Sequence, residues 1–377
     1  MVVGGVRVAH QHARTDRDEL RRVARAAQAA HATHAAHTAH TAHTTLDVPI
    51  IAVNAPRGAL QNGRLADVAP TLSVRALKER GMPYALYCAA ADKKADLEKA
   101  GIPVSGSLED LVQKCDVMLD ATSAGVGAKN KELYAKFGKK GIFQGGEKNS
   151  VADVFFHGYA NYEKGLGKQF LKLTSCNTTG LIRAVDCLDR AVGVEKVAIT
   201  IIRRVADPGD YHRGLTNALQ IDHAPSHQAL DLMTIMPHID ATGILVHTPV
   251  THGHIITVLA STKKDMSVEE AKACFLTHPR IGVVTIAEGF QGNASFFRYA
   301  RDLGNPRGDM YEIGLWEDSM VKSGKDLMFA INIPQESVTI PETMDAIRAS
   351  MGMQKDRISG TDKTNEYLGI GKWKAHV

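Results

Sequence analysis

Between about Leu65 and Thr174 the chain alternates apolar runs of strand length with stretches of helical spacing. Leu72 to Arg80 predicts a helix stopped by Gly81, Tyr84 to Cys88 a strand, Lys93 to Ala100 a helix stopped by Gly101, and Leu108 to Lys114 a further helix. Cys115 to Asp120 predicts a strand that runs into a Gly-rich turn at Thr122 to Gly127. A helix over Lys129 to Phe137 and a short strand at Gly141 to Gln144, ending in Gly145-Gly146, follow. Strands alternating with helices specify a parallel sheet covered on both faces. Ligands of such sheets bind beyond the carboxyl ends of the strands. That rule puts Thr122 to Gly127 and Gln144 to Lys148 on one ligand-binding edge, with Thr122 as a candidate contact.

Past residue 175 the pattern changes. Lys196 to Arg204, Asp240 to Thr248, His254 to Leu259 and Asp326 to Ile333 read as longer strands with few helices between them, which predicts a mixed or antiparallel sheet. Ser267 to Thr277 reads as a helix. Pro341 to Met351 reads as another, opened by Pro341 with Glu342 in its first turn. The expected fold class is therefore α/β: a Rossmann-like doubly wound parallel sheet followed by an α+β domain. The expected boundaries are an atypical segment at 1–64, a first domain at 65–174 with 337–377, and a second at 175–336, with no Gly/Ser linker between them.

The change of pattern falls on one cysteine. Phe170 to Leu173 reads as a strand, and Leu181, Val185, Leu188 and Val192 keep helical spacing, so Cys176 stands at a strand-to-helix junction. Asn177, Thr178 and Thr179 are of the helix-opening type. A thiol there faces unpaired N–H groups and the positive end of the helix dipole, which lowers its pKa. The same N–H groups suit a phosphate or an oxyanion. The plain alternative is a buried cysteine used as a small hydrophobe. A nucleophile needs a base and an anion site. His252 and His254 alternate on a predicted strand and so share a face; His227, in Pro225-Ser226-His227, is a loop candidate. Arg203 and Arg204 end a strand, where paired guanidinium groups suit a phosphate or carboxylate and otherwise form a solvated charge pair. Gln335-Glu336-Ser337 follows a strand and could reach a ligand amide, but its spacing alone gives no case for that contact.

The rest of the composition narrows the function classes. The 377 residues are 44% hydrophobic and 23% charged, with a formal charge of +4. That charge gives no case for nucleic acid and is compatible with an anionic small molecule. There is no apolar run of about 20 residues to span a bilayer, and no apolar core of a signal peptide. Five cysteines (Cys88, Cys115, Cys176, Cys187, Cys274) are odd in number, widely spaced and without a CxxC pair. They argue against a disulfide frame or a metal site and for a reducing cytoplasm. In the first 64 residues His31, His34, His37, His40 and His43 recur every third position. A step of three falls short of the 3.6-residue helical turn, so the imidazoles would spiral rather than converge on a metal. Pro49 to Val53 reads as a short strand and Asn54 to Gly58 as a turn.

The motifs TSCNTTGL (Thr174 to Leu181), FQGGEK (Phe143 to Lys148), IIRRVADP (Ile201 to Pro208) and PQES (Pro334 to Ser337) together resemble the archaeal-type, or type II, glyceraldehyde-3-phosphate dehydrogenases from about Leu65 onward. The resemblance implies phosphorylating oxidation of D-glyceraldehyde 3-phosphate to 1,3-bisphosphoglycerate with NAD or NADP in glycolysis and gluconeogenesis, by a cytoplasmic homotetramer. It implies Cys176 as nucleophile and His254 or His252 as base and oxyanion support. Ser175, Asn177, Thr178, Thr179, Arg203 and His227 would line the substrate and phosphate region, and Gly146, Arg204 and Gln335 the cofactor. The family has two adjacent histidines where this chain has Ser226-His227. It also begins with a strand and a Gly-rich NGYGxIG-type turn. Gly4-Gly5 lacks the third glycine, and Asn54 to Gly58 stands too close to Asp67 to leave room for a crossover helix. Three origins account for this: a shifted reading frame or start site, which the Ala/His/Thr repeat favours; a replacement that binds the cofactor differently; or loss of dinucleotide binding. The last would make the chain a homologue that binds metabolites or partners without turnover. Asp67 is the acidic type that pairs with the NAD ribose, whereas Arg57 and Arg64 point towards NADP.

Overall fold

The computed structural model describes residues 2–6, 50–53, 79, 85–89, 94–99, 101, 103–122, 124–144, 146–204, 218–250 and 252–371. Asp67, Arg57, Arg64, the His31 to His43 tract, the Asn54 to Gly58 turn and, but for Glu79, the Leu72 to Arg80 helix lie outside these residues. The chain forms two compact units: residues 1–156, 163–173 and 343–356, and residues 157–162, 174–342 and 357–377.

The first unit is a sheet unit. In chain order it carries β1 (Val2–Val6), β2 (Ile50–Val53), β3 (Ala85–Cys88), α1 (Lys94–Lys99), β4 (Gly106–Ser107), α2 (Leu108–Lys114), β5 (Val117–Asp120), α3 (Val126–Lys136), β6 (Lys140–Phe143), β7 (Val154–Phe156) and β8 (Phe170–Leu173). The strand order is β4-β3-β2-β1-β5-β6-β8-β7. The alternating pattern produces the parallel pairs β2–β3, β3–β4, β5–β6, β6–β8 and β7–β8. Leu111, Val112, Met118, Tyr134, Phe143 and Phe170 pack together as a core under α2 and α3. Ser107 and Asp110 form a reciprocal capping box that starts α2.

One strand departs from the parallel expectation. β1 runs antiparallel to both β2 and β5, with Gly4 opposite Ile51 on one side and Leu119 on the other. Two glycines in five residues give such a segment no strand signature to read. Reversal has a positional consequence. Val2 pairs with Val53 and Val3 with Asp120, the last residues of β2 and β5, so the start of β1 lies at the carboxyl edge of the sheet.

The second unit is built on a seven-stranded mixed sheet. Its elements are α4 (Cys176–Val192), β9 (Val194–Arg204), β10 (Gln220–Ile221), α5 (His227–Ile235), β11 (Asp240–Thr248), β12 (His254–Thr262), α6 (Val268–Thr277), β13 (Ile281–Val284), α7 (Asn293–Asp302), β14 (Ile313–Ser323), β15 (Asp326–Ile333), α8 (Ile340–Met351) and α9 (Arg357–Leu368). The order is β10-β11-β9-β12-β15-β14-β13. β11–β9 and β13–β14 are parallel, and the other pairs antiparallel. α5 and α7 intervene between strands where few helices were expected. α8 is divided, Ile340 to Glu342 grouping with the second unit and Thr343 to Met351 with the sheet unit, and α9 groups with the second. Asn365 on α9 donates Nδ2 to Tyr159 Oη (3.0 Å) and accepts from Arg280 Nε (2.8 Å), polar contacts within the second unit that periodicity cannot reveal.

A buried ionic cluster anchors this unit. Glu342 Oε1 receives Arg183 Nη2 and Arg280 Nη1, each at 3.0 Å, and its Oε2 accepts the Gly158 N–H at 2.8 Å. All three side chains are wholly buried. Arg183 lies on α4, seven positions past Cys176, so the cluster fixes the helix that carries the thiol.

Candidate active site

Ser175 caps α4, its Oγ accepting the Thr178 N–H at 3.3 Å. The cap puts Cys176 at the first helical position, where the backbone N–H groups are unpaired. Gly180, one turn on, packs so closely against Ile333 and Ile313 that a Cβ has no room, which lets α4 sit tight on β14 and β15. Cys176 is partly exposed. His254, the first residue of β12, is buried and brings Nε2 to 3.8 Å from Cys176 Sγ. Its Nδ1 accepts the Arg204 backbone N–H at 3.1 Å. An accepting Nδ1 carries no proton, so the neutral ring has its proton on Nε2, facing the sulfur.

The electrostatics differ from the sequence reading. Burial pushes the Cys176 thiol above its usual value; Arg203, Arg204 and the Asn177 backbone act in the lowering direction without cancelling it. Burial also drives His254 well below its usual value, reinforced by Arg204 and Arg203 and opposed by a hydrogen bond with Gln335. The resting pair is therefore a neutral thiol beside a neutral imidazole, because desolvation outweighs the helix N-terminus.

The expected site residues divide into groups. Thr178 and Thr179 are fully buried, and their hydroxyls are engaged inside the protein. Thr179 Oγ1 meets Thr174 Oγ1 at 2.7 Å, and Thr178 Oγ1 meets Ser175 Oγ at 2.9 Å and Asp231 Oδ2 at 3.1 Å. Asn177 is buried as well, and its Oδ1 has no hydrogen-bond partner among the described residues. Arg204 is buried and ion-paired to Glu336 at 2.8 Å, so its charge is spent within the protein. Arg203 is half-buried, and its guanidinium has no ion-pair partner among the described residues.

His252 does not share a strand face with His254. β12 begins at His254; Gly253 takes φ +66°, and the His252 ring turns to Phe297, with centroids 4.2 Å apart. Only glycine adopts that φ readily, and it breaks the alternation on which the pairing rested. His227 is not in a loop. It opens α5 and is exposed, one turn before Asp231, which holds Thr178. Asp309 and Arg307 went unread in the sequence. Asp309 Oδ2 accepts the Glu336 N–H at 2.9 Å, and Arg307 Nη2 lies 3.7 Å from Glu336 Oε2. Arg307 is the one non-glycine residue with positive φ (71°) among the described residues, a backbone state uncommon outside functional or tightly packed turns.

A model of the glyceraldehyde 3-phosphate dehydrogenase C-terminal domain matches residues 175–302, beginning where the sequence pattern changes. The chain is 38% identical over 289 residues to glyceraldehyde-3-phosphate dehydrogenase 2 of Methanosarcina barkeri, covering 76% of this chain and 85% of that one. It is 40% identical over 293 residues to glyceraldehyde-3-phosphate dehydrogenase of Methanoregula boonei, with 77% and 85% covered. This chain belongs to the glyceraldehyde-3-phosphate dehydrogenase family. The relative from Hyperthermus butylicus is 38% identical over 305 residues, with 80% and 88% covered. Among solved structures, aspartate semialdehyde dehydrogenase II of Vibrio cholerae shares the fold at a TM-score of 0.58 and 15% identity, covering 81% of this chain and 98% of that one.

A glyceraldehyde-3-phosphate dehydrogenase implies a nicotinamide dinucleotide, and the sheet unit fits one along the ends of β5 and β6. Asp120, buried, accepts the Thr122 N–H (2.9 Å), Asn130 Nδ2 (2.9 Å) and Tyr134 Oη (2.8 Å), which locks the turn after β5. Gly125, φ +81°, then starts α3 with open space around it, and Gly146 lies against Ala124 at ordinary contact distance. Thr122 and Gly146 thus border an edge of small side chains. The N-terminus of α3 is less free, because Glu147 Oε1 accepts the Gly127 N–H at 2.8 Å where an anion would bind.

Proposed function

We propose that this chain is a phosphorylating glyceraldehyde-3-phosphate dehydrogenase, oxidising D-glyceraldehyde 3-phosphate to 1,3-bisphosphoglycerate through a thioester on Cys176. The observation that carries the reading is Cys176 Sγ at the start of α4, 3.8 Å from His254 Nε2. The sulfur, having released its proton to water on its partly exposed side, attacks the aldehyde carbon as the thiolate, and the carbonyl electrons move to oxygen. His254, with its proton on Nε2, donates to that oxyanion. Arg203 holds the anionic phosphate, and Asn177 offers Oδ1 to a donor on the ligand. Inorganic phosphate then attacks the thioester carbon; the C–S bond breaks and the thiolate returns. NAD or NADP supplies the hydride acceptor that turns the thiohemiacetal into the thioester. Thr122 and Gly146 of the sheet unit would hold it, while Arg204, Glu336 and Gln335 position His254. The proposal includes the cytoplasmic homotetramer that the resemblance implies. Among the described residues no helix is long and apolar enough to cross a membrane.

His254→Ala is expected to lower kcat by about 10²- to 10³-fold, the cost of one oxyanion donor. Arg203→Ala is expected to raise KM for the phosphorylated aldehyde or for inorganic phosphate roughly 10- to 100-fold, the worth of a charge-assisted hydrogen bond. It has a second effect of fixed sign. Arg203 lowers the thiol pKa, so its loss moves the rising limb of the pH profile for iodoacetamide inactivation to higher pH. An unchanged limb and an unchanged KM would remove Arg203 from the site.

Two observations favour a second reading, a homologue without dinucleotide turnover: β1 is reversed and Glu147 occupies the α3 N-terminus. Calorimetric titration of the folded chain with NAD+ and NADP+ separates the two, since silence with both at millimolar concentration selects the second.

A further inference from the structure

Cys187 and Cys274 take no part in the chemistry above, yet their thiols lie in contact. Cys187 lies on α4, eleven positions past Cys176, and Cys274 lies on α6; their sulfurs are 3.2 Å apart across 87 positions of sequence. Cys187 is nearly buried, whereas Cys274 is partly exposed. Both border a cavity of about 370 Å³ whose wall also carries Arg190, His278, Arg357 and Tyr159. The pair thus has a solvent-side opening for a small oxidant, with one sulfur forward and the other behind it.

We propose that Cys187 and Cys274 are a peroxide-sensitive dithiol that closes reversibly into an intramolecular disulfide joining α4 to α6. Cys274, as thiolate, attacks one oxygen of hydrogen peroxide. An S–O bond forms, the O–O bond breaks, and the departing hydroxide takes a proton to become water. Cys187 then attacks the sulfenic sulfur: the S–S bond forms, the S–O bond breaks, and a second water leaves with the Cys187 proton. Two thiols and one peroxide give one disulfide and two waters. The local electrostatics suit this division. A hydrogen bond from Cys187 lowers the Cys274 pKa and, with burial, raises that of Cys187, giving one attacking and one resolving sulfur. The bond would ride on the helix that carries Cys176 and close a long loop, so it stabilises the catalytic unit chiefly by restricting the unfolded chain. A reducing compartment returns it to the dithiol.

The test uses full-length Cys176→Ser protein, which removes the competing active-site thiol. It is titrated with hydrogen peroxide, alkylated with N-ethylmaleimide, digested without reductant and read by mass spectrometry, with circular dichroism confirming the fold. A Cys187–Cys274 peptide pair lacking two hydrogens, reopened by dithiothreitol and accompanied by a Tm rise of several degrees, supports the proposal. So does over-oxidation of Cys274 to the sulfinic acid when Cys187→Ala is added. Sulfinic acid at Cys274 with Cys187 present, a disulfide between chains, or both thiols still free to alkylate after peroxide overturns it.

Discussion

Cys176→Ser is expected to abolish phosphate-dependent reduction of NAD+ and NADP+, by about 10⁴-fold or more in kcat. The substitution exchanges one atom and leaves the helix opening as it is, because the capping hydroxyl belongs to Ser175. A serine oxygen beside a neutral imidazole that already carries its proton on Nε2 has no base to activate it. The burial that raises a thiol's pKa disfavours an alkoxide far more strongly. Two readouts make the result specific: initial rates with and without inorganic phosphate, and substrate affinity measured by calorimetry. Affinity should persist, since in the proposed site Arg203, and not the sulfur, holds the phosphate. Residual turnover above roughly one part in 10³ would mean that chemistry proceeds without a covalent intermediate.

Glu342→Gln is the second large effect, and it falls on stability. Two wholly buried guanidinium groups, Arg183 and Arg280, rest on one carboxylate oxygen. An amide of the same shape keeps the packing and removes the charge. Breaking a buried pair from one side costs about 3–5 kcal/mol, because the remaining cations stay desolvated and unpaired. Urea unfolding monitored by tryptophan fluorescence reads the loss as a fall in midpoint at constant slope. The pH dependence supplies a signed check. Burial by itself would raise the Glu342 carboxyl, but His157, Arg280, Arg183 and the Gly158 N–H hold it far below the usual carboxylate range of 4.5. A depressed acid stabilises fully above the unfolded value, and that stability drains away as pH falls towards the folded one. The gap between wild type and Glu342→Gln should therefore be widest near neutrality and narrow below about pH 4.5. A gap that is constant with pH would assign the effect to packing instead of charge. His278 and His157, both depressed chiefly by burial, add acid sensitivity in the wild type from about pH 6.5 downward, since the unfolded chain binds protons that the folded one refuses.

Much of the fold was legible because it is written in period and punctuation. The helix over Leu108 to Lys114 and the strands at Phe170 to Leu173, Asp240 to Thr248 and Asp326 to Ile333 stand where alternation, caps and glycines placed them. α5, α7 and α9 were missed. Their apolar faces are short or mixed, and α9 is bound largely by polar contacts such as Arg280 to Asn365. β1 was missed because pairing on both edges, not propensity, holds a Val-Val-Gly-Gly-Val segment in a sheet.

The candidate site divides in the same way. By itself the sequence determined that Cys176 opens a helix at a domain boundary, that Arg203 and Arg204 end one strand and His254 starts another, and that these motifs in this order mark the family. Those are local facts, carried by caps, periodicity and motif spelling. Only the tertiary structure decided that His254 rather than His252 meets the sulfur, that Arg204 is spent on Glu336, and that the resting thiol is neutral. Each depends on which side chains far apart in sequence exclude water from one another, and desolvation is a property of the packed interior that no stretch of sequence contains.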